Sequence, residues 1–360
     1  MSVSLARAIA LYLPQFHPIP ENDSWWGKGF TEWTNTAKAK PLFKGHYQPH
    51  VPADLGFCDL RVPEVRTEQA SLARSFGIEA FCYYHYWFAG RRLLHRPFDE
   101  VLSSGVPDFP FCVCWANETW SGIWHGAPKR VLVEQTYPGE EDHRNHFNTL
   151  LPAFRDPRYL RVDGRPLFWL YKATTMPNVE QFLDLWRTMA RESGLGDLYI
   201  ITTTRATEPD VTKLGFDGFA NMPRLSQRPW ISKRQPIDWL RNQVRIRRGV
   251  PNTVPFKKFA QENMAIKTDT HEEYPIVIHS FDNTPRSGVN GVVYTNPSPV
   301  IYGELLKAAV QSLAHKPIDR RIVFLKSWNE WAEGNHLEPD LRTGSSYLEV
   351  VSQAFKSSGL

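Results

Sequence analysis

The stretch Ala8–His17, AIALYLPQFH, decides between two folds. A short apolar run that stops at Pro14 reads as a strand, and the chain repeats such runs in a regular order. Strands are expected at Ala8 to Phe16, Ile78 to Trp87, Phe109 to Ala116, Pro166 to Tyr171, Leu198 to Thr204, Phe216 to Met222, Tyr274 to Phe281 and Arg321 to Trp328. Amphipathic helical patterns lie between them, among them VPEVRTEQASLARSFG, DHRNHFNTLLPAFRD, NVEQFLDLWRTMARESG and VIYGELLKAAVQSLAHK, with SYLEVVSQAFKS closing the chain. Apolar strands alternating with such helices form parallel βα units, and eight units predict a (β/α)8 TIM barrel, one domain over residues 1–360. The rival is an open doubly wound sheet. Its Gly-rich turn belongs after the first strand, where Pro14, Gln15, Phe16 and His17 stand instead.

Two connections are long, after the first strand and after the sixth, and in a barrel such βα loops sit on the functional face. The second, Arg224 to Lys258, holds ten Lys or Arg against one acid, Asp238. It reads either as a solvated insertion or as a dock for an anionic glycan, a lipid phosphate or another partner. Over all 360 residues, 42 Lys and Arg face 38 Asp and Glu, a net charge of +4 too balanced to predict a nucleic-acid partner. With 42% hydrophobic and 22% charged residues the chain is globular rather than disordered or fibrous. Cys58, Cys82, Cys112 and Cys114 lie in apolar segments without metal or redox spacing, and are expected to be reduced core residues. No stretch has the ~20 apolar residues of a membrane span, and the first residues lack a signal-peptide pattern, so a cytoplasmic location is expected.

The chemistry gathers at strand ends. The last strand runs into Asn329, Glu330, Trp331, Ala332, Glu333, Gly334, Asn335 and His336. Two carboxylates three residues apart would be split by an extended chain but share a pocket on a curled one. With Trp331 between them, Glu330 and Glu333 form the candidate catalytic pair. Glycosidic bond cleavage wants such a pair, one member protonated while the other is ionised. Other strand ends offer substrate contacts at Gln15 and His17; Tyr84, His85 and Trp87; Trp115, Asn117 and Glu118; and Asp282 and Arg286; Trp331 and His336 are expected to join them beside the Glu pair. Thirteen Trp, many beside polar residues, suit a carbohydrate site, where aromatic faces cover sugar C–H faces and polar neighbours bind hydroxyls. No HExxH and no metal-ligand spacing occur, so no metal and no cofactor are expected. A GxSxG elbow and a P-loop are also missing.

Together YLPQFHPIPEND, WWGKGFTEWTN, FCYYHYWFAGRRLL, FCVCWANETW, FDNTPR and SWNEWAEGNHLEPD resemble the WbsX-like proteins of bacterial O-antigen and capsule loci, related to glycoside hydrolase family 99. The resemblance covers nearly the whole chain. It implies a (β/α)8 barrel and a retaining mechanism without a covalent enzyme intermediate. One Glu takes the proton of the sugar 2-OH, whose oxygen attacks the anomeric carbon to give a 1,2-anhydro sugar. The second Glu protonates the leaving oxygen, then helps water open the epoxide. By resemblance these are Glu330 and Glu333 in that order. Trp25, Trp26, Trp33 and Trp87 would be sugar platforms, and His17, Asn117, Glu118, Asp282 and Arg286 hydroxyl ligands. Three functions remain open: a glycoside hydrolase or transglycosylase acting on a surface oligosaccharide or polysaccharide or its lipid-linked precursor, a glycosyltransferase of lipopolysaccharide biosynthesis using the same barrel, and a non-catalytic glycan-binding barrel.

Overall fold

The eight strands form in the expected order: β1 (Arg7–Tyr12), β2 (Ala80–Phe88), β3 (Phe111–Trp115), β4 (Arg165–Leu170), β5 (Tyr199–Thr204), β6 (Gly218–Asn221), β7 (Glu273–Ile278) and β8 (Ile322–Lys326). The computed structural model describes residues 4–122, 127–204, 211–223, 236–264 and 272–356. Each strand pairs in parallel with the next, and β8 pairs with β1 (Ala10 opposite Leu325), closing the barrel. Closure removes both sheet edges, and buried faces on either side explain why the strands read as continuous apolar runs.

Side-chain alternation sorts the core into two layers. Phe168 points outward, its ring 4.6 Å from Trp186 on the helix Val179–Glu192. The next residue, Trp169, therefore points inward, and it meets Phe324 of the opposite strand β8 at 4.5 Å. A contact between strands half a turn apart spans the lumen, so the barrel interior is packed rather than a pore.

Strand ends fall short of the apolar runs where local hydrogen bonding intervenes. β1 was expected to reach Phe16 but stops at Tyr12, because the Asn329 side chain takes both the N–H (2.7 Å) and the carbonyl (3.0 Å) of Leu13 and Pro14 has no N–H to offer. β6 starts at Gly218, where an added Cβ would stand 2.6 Å from the Glu272 carbonyl. All four cysteines are buried and free.

The loop after β1 carries the helices α1 (Pro20–Trp26) and α2 (Glu32–Lys38), then a strap over residues 39–55. The strap lies against the segment after β8, with Ala53 N–H bonded to Pro339 O and Leu341 N–H to Val51 O, both 2.9 Å. At the opposite end of the barrel the Leu5 N–H binds the Phe355 carbonyl at 2.9 Å. Of the basic insertion, residues 224–235 lie outside the described part. The remainder contains the helix Pro236–Arg247, on which Trp239, Leu240 and Val244 are exposed. No helix among the described residues is long and apolar enough to cross a membrane.

Candidate active site

A cleft of about 560 Å³ opens where the strands end, lined by Gln15 after β1, Tyr84 and Tyr86 on β2, Glu118 after β3, Tyr171 after β4, Met222 after β6, Phe281 after β7 and Lys326 at the end of β8. Trp26 and Trp120 add indole walls, and Glu330, Glu333 and Arg286 meet at its floor. A smaller cavity of about 60 Å³, beside Phe259 and Leu305, has one carboxylate, Glu273, which binds the Asn221 amide at 2.6 Å.

The floor is built by the turn after β8. Asn329–Glu330 pairs with Asn335–His336 in a two-residue antiparallel ladder, and Trp331–Glu333 forms a single 3-10 turn between them. The turn closes through Gly334, whose φ of 54° lies in the left-handed region; an added Cβ there would meet Asp282 Cβ at 3.0 Å. The curl expected from the spacing is thus present, and it brings both carboxylates to one side.

Lys326 Nζ donates to Glu330 Oε2 at 2.5 Å and to Glu333 Oε2 at 3.1 Å. One ammonium touching both means that those oxygens are no more than about 5.6 Å apart, and the two carboxyls also share a side-chain hydrogen bond, so the pair is closer than the ~6.5–9.5 Å of inverting enzymes. Arg286 donates to Glu333 Oε1 at 2.8 Å and to Glu32 Oε1 at 2.6 Å. The fully buried Glu32 also accepts the Ala332 N–H at 2.9 Å, so it fixes the turn as well as the guanidinium.

Charges divide the pair. Burial and then the neighbouring Glu333 charge push Glu330 up to about 8, against the pull of Lys326. For Glu333 burial acts in the same direction, but Lys326 and Arg286 together outweigh it and hold the carboxyl well below its ordinary value. The extra cation on Glu333 gives the direction: charge is favoured on Glu333 and the proton on Glu330. That is the reverse of the role order the resemblance implies.

Of the residues proposed from sequence, Gln15, Trp26, Tyr84, Glu118, Arg286, Glu330 and Glu333 line the cleft, and the others do not. Period-2 alternation explains His85 and Trp87: Tyr84 and Tyr86 face the cleft, so the intervening side chains turn toward the helix Glu140–Arg155. There His85 bonds His146 at 2.8 Å, and the Trp87 N–H reaches Asp142 at 3.1 Å. Trp115 is fully buried in the core. Asn117 is buried and spends its amide on the backbone of Lys172. Asp282 accepts from His46, Gln48 and both the N–H and hydroxyl of Thr284, which leaves no oxygen free for a sugar. His17 is buried, and burial lowers it to about 4. Trp33 packs between Phe16 and Trp331 with its N–H on the Cys58 carbonyl, and Trp25 packs edge-on to Trp120. Trp331 is buried beneath the turn, stacked on His336. Among the described residues, Trp87, Trp115, Trp169, Trp186, Trp328 and Trp331 are buried, so much of the Trp surplus is core.

Sequence reasoning missed Lys326 and Glu32. Lys326 had a signal, because it stands two residues after the inward Phe324 and so faces the same way. Glu32 had none, since its partner Arg286 is 254 residues away. Also missed was a meeting of His50, His336 and Asp340 behind the turn, all buried, whose ligand atoms lie within 4.8 Å of one another. Their types and placement fit a divalent ion, although the ligand spacing in the sequence is not a metal motif.

The fold and floor define a (β/α)8 barrel of the kind found in glycoside hydrolases. It is similar to a solved glycoside hydrolase-like protein, with a TM-score of 0.64 at 15% identity over 99% of this chain and 95% of that one. It is also similar to the family 99 endo-α-mannosidase from Bacteroides thetaiotaomicron, with a TM-score of 0.57 at 17% identity over 98% and 97%. Residues 8–351 match the model of the family described as glycosyltransferase WbsX, and the chain belongs to that family. Relatives named uncharacterized protein WxcX, from two strains of Xanthomonas campestris pv. campestris, are 40% identical over 97% of this chain. The chain spans about half (49%) of the length of those relatives.

Proposed function

We propose that the chain is a glycan-acting enzyme of the glycoside hydrolase kind, working on glycosidic bonds of a bacterial surface polysaccharide or its lipid-linked precursor with retention of configuration. The observation that carries this is the Glu330–Glu333 pair, held under one ammonium closer together than an inverting pair, with pKa values pushed in opposite directions, in an aromatic-walled cleft; retention itself rests on the resemblance to family 99. The surface-polysaccharide substrate rests on the resemblance to WbsX-like proteins of O-antigen and capsule loci. The ionised carboxylate takes the 2-OH proton, the 2-oxygen closes on the anomeric carbon, and the protonated carboxyl gives its proton to the departing oxygen. Water then opens the 1,2-anhydro sugar.

Two orders of these roles are separable. The charges of the free site make Glu333 the base and Glu330 the acid. The order implied by resemblance needs the shared proton to pass from Glu330 to Glu333 when sugar binds.

A transferase reading is favoured by the family's description. It uses the same pair, with an acceptor hydroxyl in place of water at the second step. The deciding experiment incubates the protein with polysaccharide and lipid-linked oligosaccharide from its host and follows products by mass spectrometry. Released reducing ends support hydrolysis; lengthened or exchanged chains support transfer. Glycan binding without turnover, unchanged in a Glu330→Gln, Glu333→Gln double variant, leaves only a binding barrel.

A further inference from the structure

Behind the catalytic turn, three side chains from two distant loops converge. His50 Nδ1 lies 2.8 Å from His336 Nε2, and Asp340 Oδ2 lies 3.8 Å from the first and 3.9 Å from the second. The point equidistant from these three atoms is about 2.1 Å from each and lies in their plane; a tetrahedral Zn²⁺ stands out of that plane, so the His50–His336 contact must open slightly to seat it at the ~2.0–2.2 Å of Zn–N and Zn–O bonds. We infer that His50, His336 and Asp340 form a structural site for a divalent first-row metal ion, Zn²⁺ above all, with water completing a tetrahedron.

The surroundings are those of a ligand set. The His336 Nδ1–H donates to the Glu338 carbonyl at 2.8 Å, which fixes the tautomer and leaves the Nε2 lone pair directed at the site. Asp340 Oδ1 accepts from the N–H of Arg342 (3.0 Å), the N–H of Thr343 (2.6 Å) and the Thr343 hydroxyl (2.8 Å), so Oδ2 is the oxygen left for an ion. The Tyr47 hydroxyl is a further neighbour of this carboxylate. Without an ion, the short His50–His336 contact requires His50 Nδ1 to donate, because His336 Nε2 has no proton. Metal binding moves that proton to His50 Nε2 and frees the Nδ1 lone pair, with no net change of charge on the ring. Two imidazoles and one carboxylate suit Zn²⁺ rather than Mg²⁺ or Ca²⁺, which want oxygen cages.

Placement gives the ion its task. His50 belongs to the strap of the first loop, and His336 and Asp340 to the segment after β8; an ion would staple the two. His336 also stacks on Trp331, ring centroids 3.6 Å apart, so the staple braces the turn that presents Glu330 and Glu333.

The test strips the protein with a chelator and titrates it with Zn²⁺ and Co²⁺. Close to one equivalent should bind, Co²⁺ should give the intense visible bands of a four-coordinate site, and the melting temperature should rise on reloading. His50→Gln and Asp340→Asn should each weaken Zn²⁺ binding at least about tenfold, since even an outer partner of a ligand is worth 10–100-fold. Should a variant fail to fold, the unmodified protein still decides through its Co²⁺ spectrum. No uptake at micromolar metal, octahedral Co²⁺ bands, or uptake unchanged in both variants would overturn the assignment.

Discussion

Arg286 and Glu32 meet at 2.6 Å in the floor of the cleft, with Glu32 fully buried and the second arm of the guanidinium on Glu333. A carboxylate in the first loop thereby holds the guanidinium that, together with Lys326, keeps a carboxylate after the last strand ionised. Glu32→Ala removes the counter-charge and the acceptor of the Ala332 N–H together. Breaking a buried pair from one side costs about 3–5 kcal/mol, and urea unfolding should show a loss of that order. A loss under about 1 kcal/mol would mean that Arg286 is balanced by Glu333 alone.

The protonation order has a spectroscopic signature. Glu330, raised to about 8, should titrate as a carboxyl far above the ordinary range in infrared or carbon NMR spectra, and the signal should vanish in Glu330→Gln. Buried Glu338, pushed up to about 7, needs its own Glu338→Gln control. The linkage sign follows: a carboxyl raised in the folded state is protonated there while the unfolded chain has already ionised. Its contribution to stability is complete below about pH 4.5 and is lost as pH rises toward 8, by at most about 1.4 kcal/mol per unit. Glu333 has the opposite sign, its contribution being lost as the solution is acidified. Absence of any Glu330-dependent titration between pH 6 and 9 would refute the order of charges.

Leaving-group dependence separates the two roles. The acid's Gln variant should slow an unactivated glycoside by about 10²–10⁴-fold yet spare an activated aryl or fluoride substrate in the first step, while the base's variant slows both. The charges of the free site give the sparing to Glu330→Gln; the order implied by resemblance gives it to Glu333→Gln. A 2-deoxy substrate should not turn over with the unmodified protein, because the 2-oxygen is the nucleophile. Rapid turnover of that substrate, with a glycosyl ester trapped on either glutamate, would return the site to the ordinary two-carboxylate mechanism.

Gly334→Ala tests the turn. A side chain there must adopt a left-handed φ of 54° and meet Asp282, whose N–H bonds the Glu333 carbonyl at 2.6 Å. Strain of about 1–3 kcal/mol is expected, with turnover falling more than the melting temperature suggests because Glu333 is displaced. Unchanged kcat would show that the position of Glu333 tolerates this shift.

The ten positive charges of Arg224 to Lys258 should draw an acidic glycan or anionic lipid at low ionic strength. Binding should weaken steeply between 50 and 300 mM salt, and equal affinity at both would remove the idea. Arg245 is already engaged, bonded to the carbonyls of Val250 and Val289, so its replacement should cost stability as well.

What was legible from the sequence was whatever a local period encodes. Eight apolar runs gave eight strands, and the carboxylate pair was readable because both members follow one strand in one short turn. Alternation within a strand end carries the finer signal: His85 and Trp87 sit among cleft residues in sequence but face the helices, opposite Tyr84 and Tyr86. Polar groups such as Asp282 and Asn117 looked like sugar ligands, yet their capacity is taken by backbone and by residues remote in the chain. Pairings that bridge the first loop and the last strand, Glu32 with Arg286 and His50 with His336, have no local pattern; only closure of the barrel creates them.

That closure also settles where attachments can leave. The Leu5–Phe355 hydrogen bond puts both ends of the described chain side by side beneath the strands, on the face away from the cleft. A fused reporter, an immobilising tag or a second catalytic unit joined at either end would hang from the base of the molecule. The mouth of the cleft, at the other end of the strands, would remain clear, and a molecule held to a surface by this base would present the cleft outward.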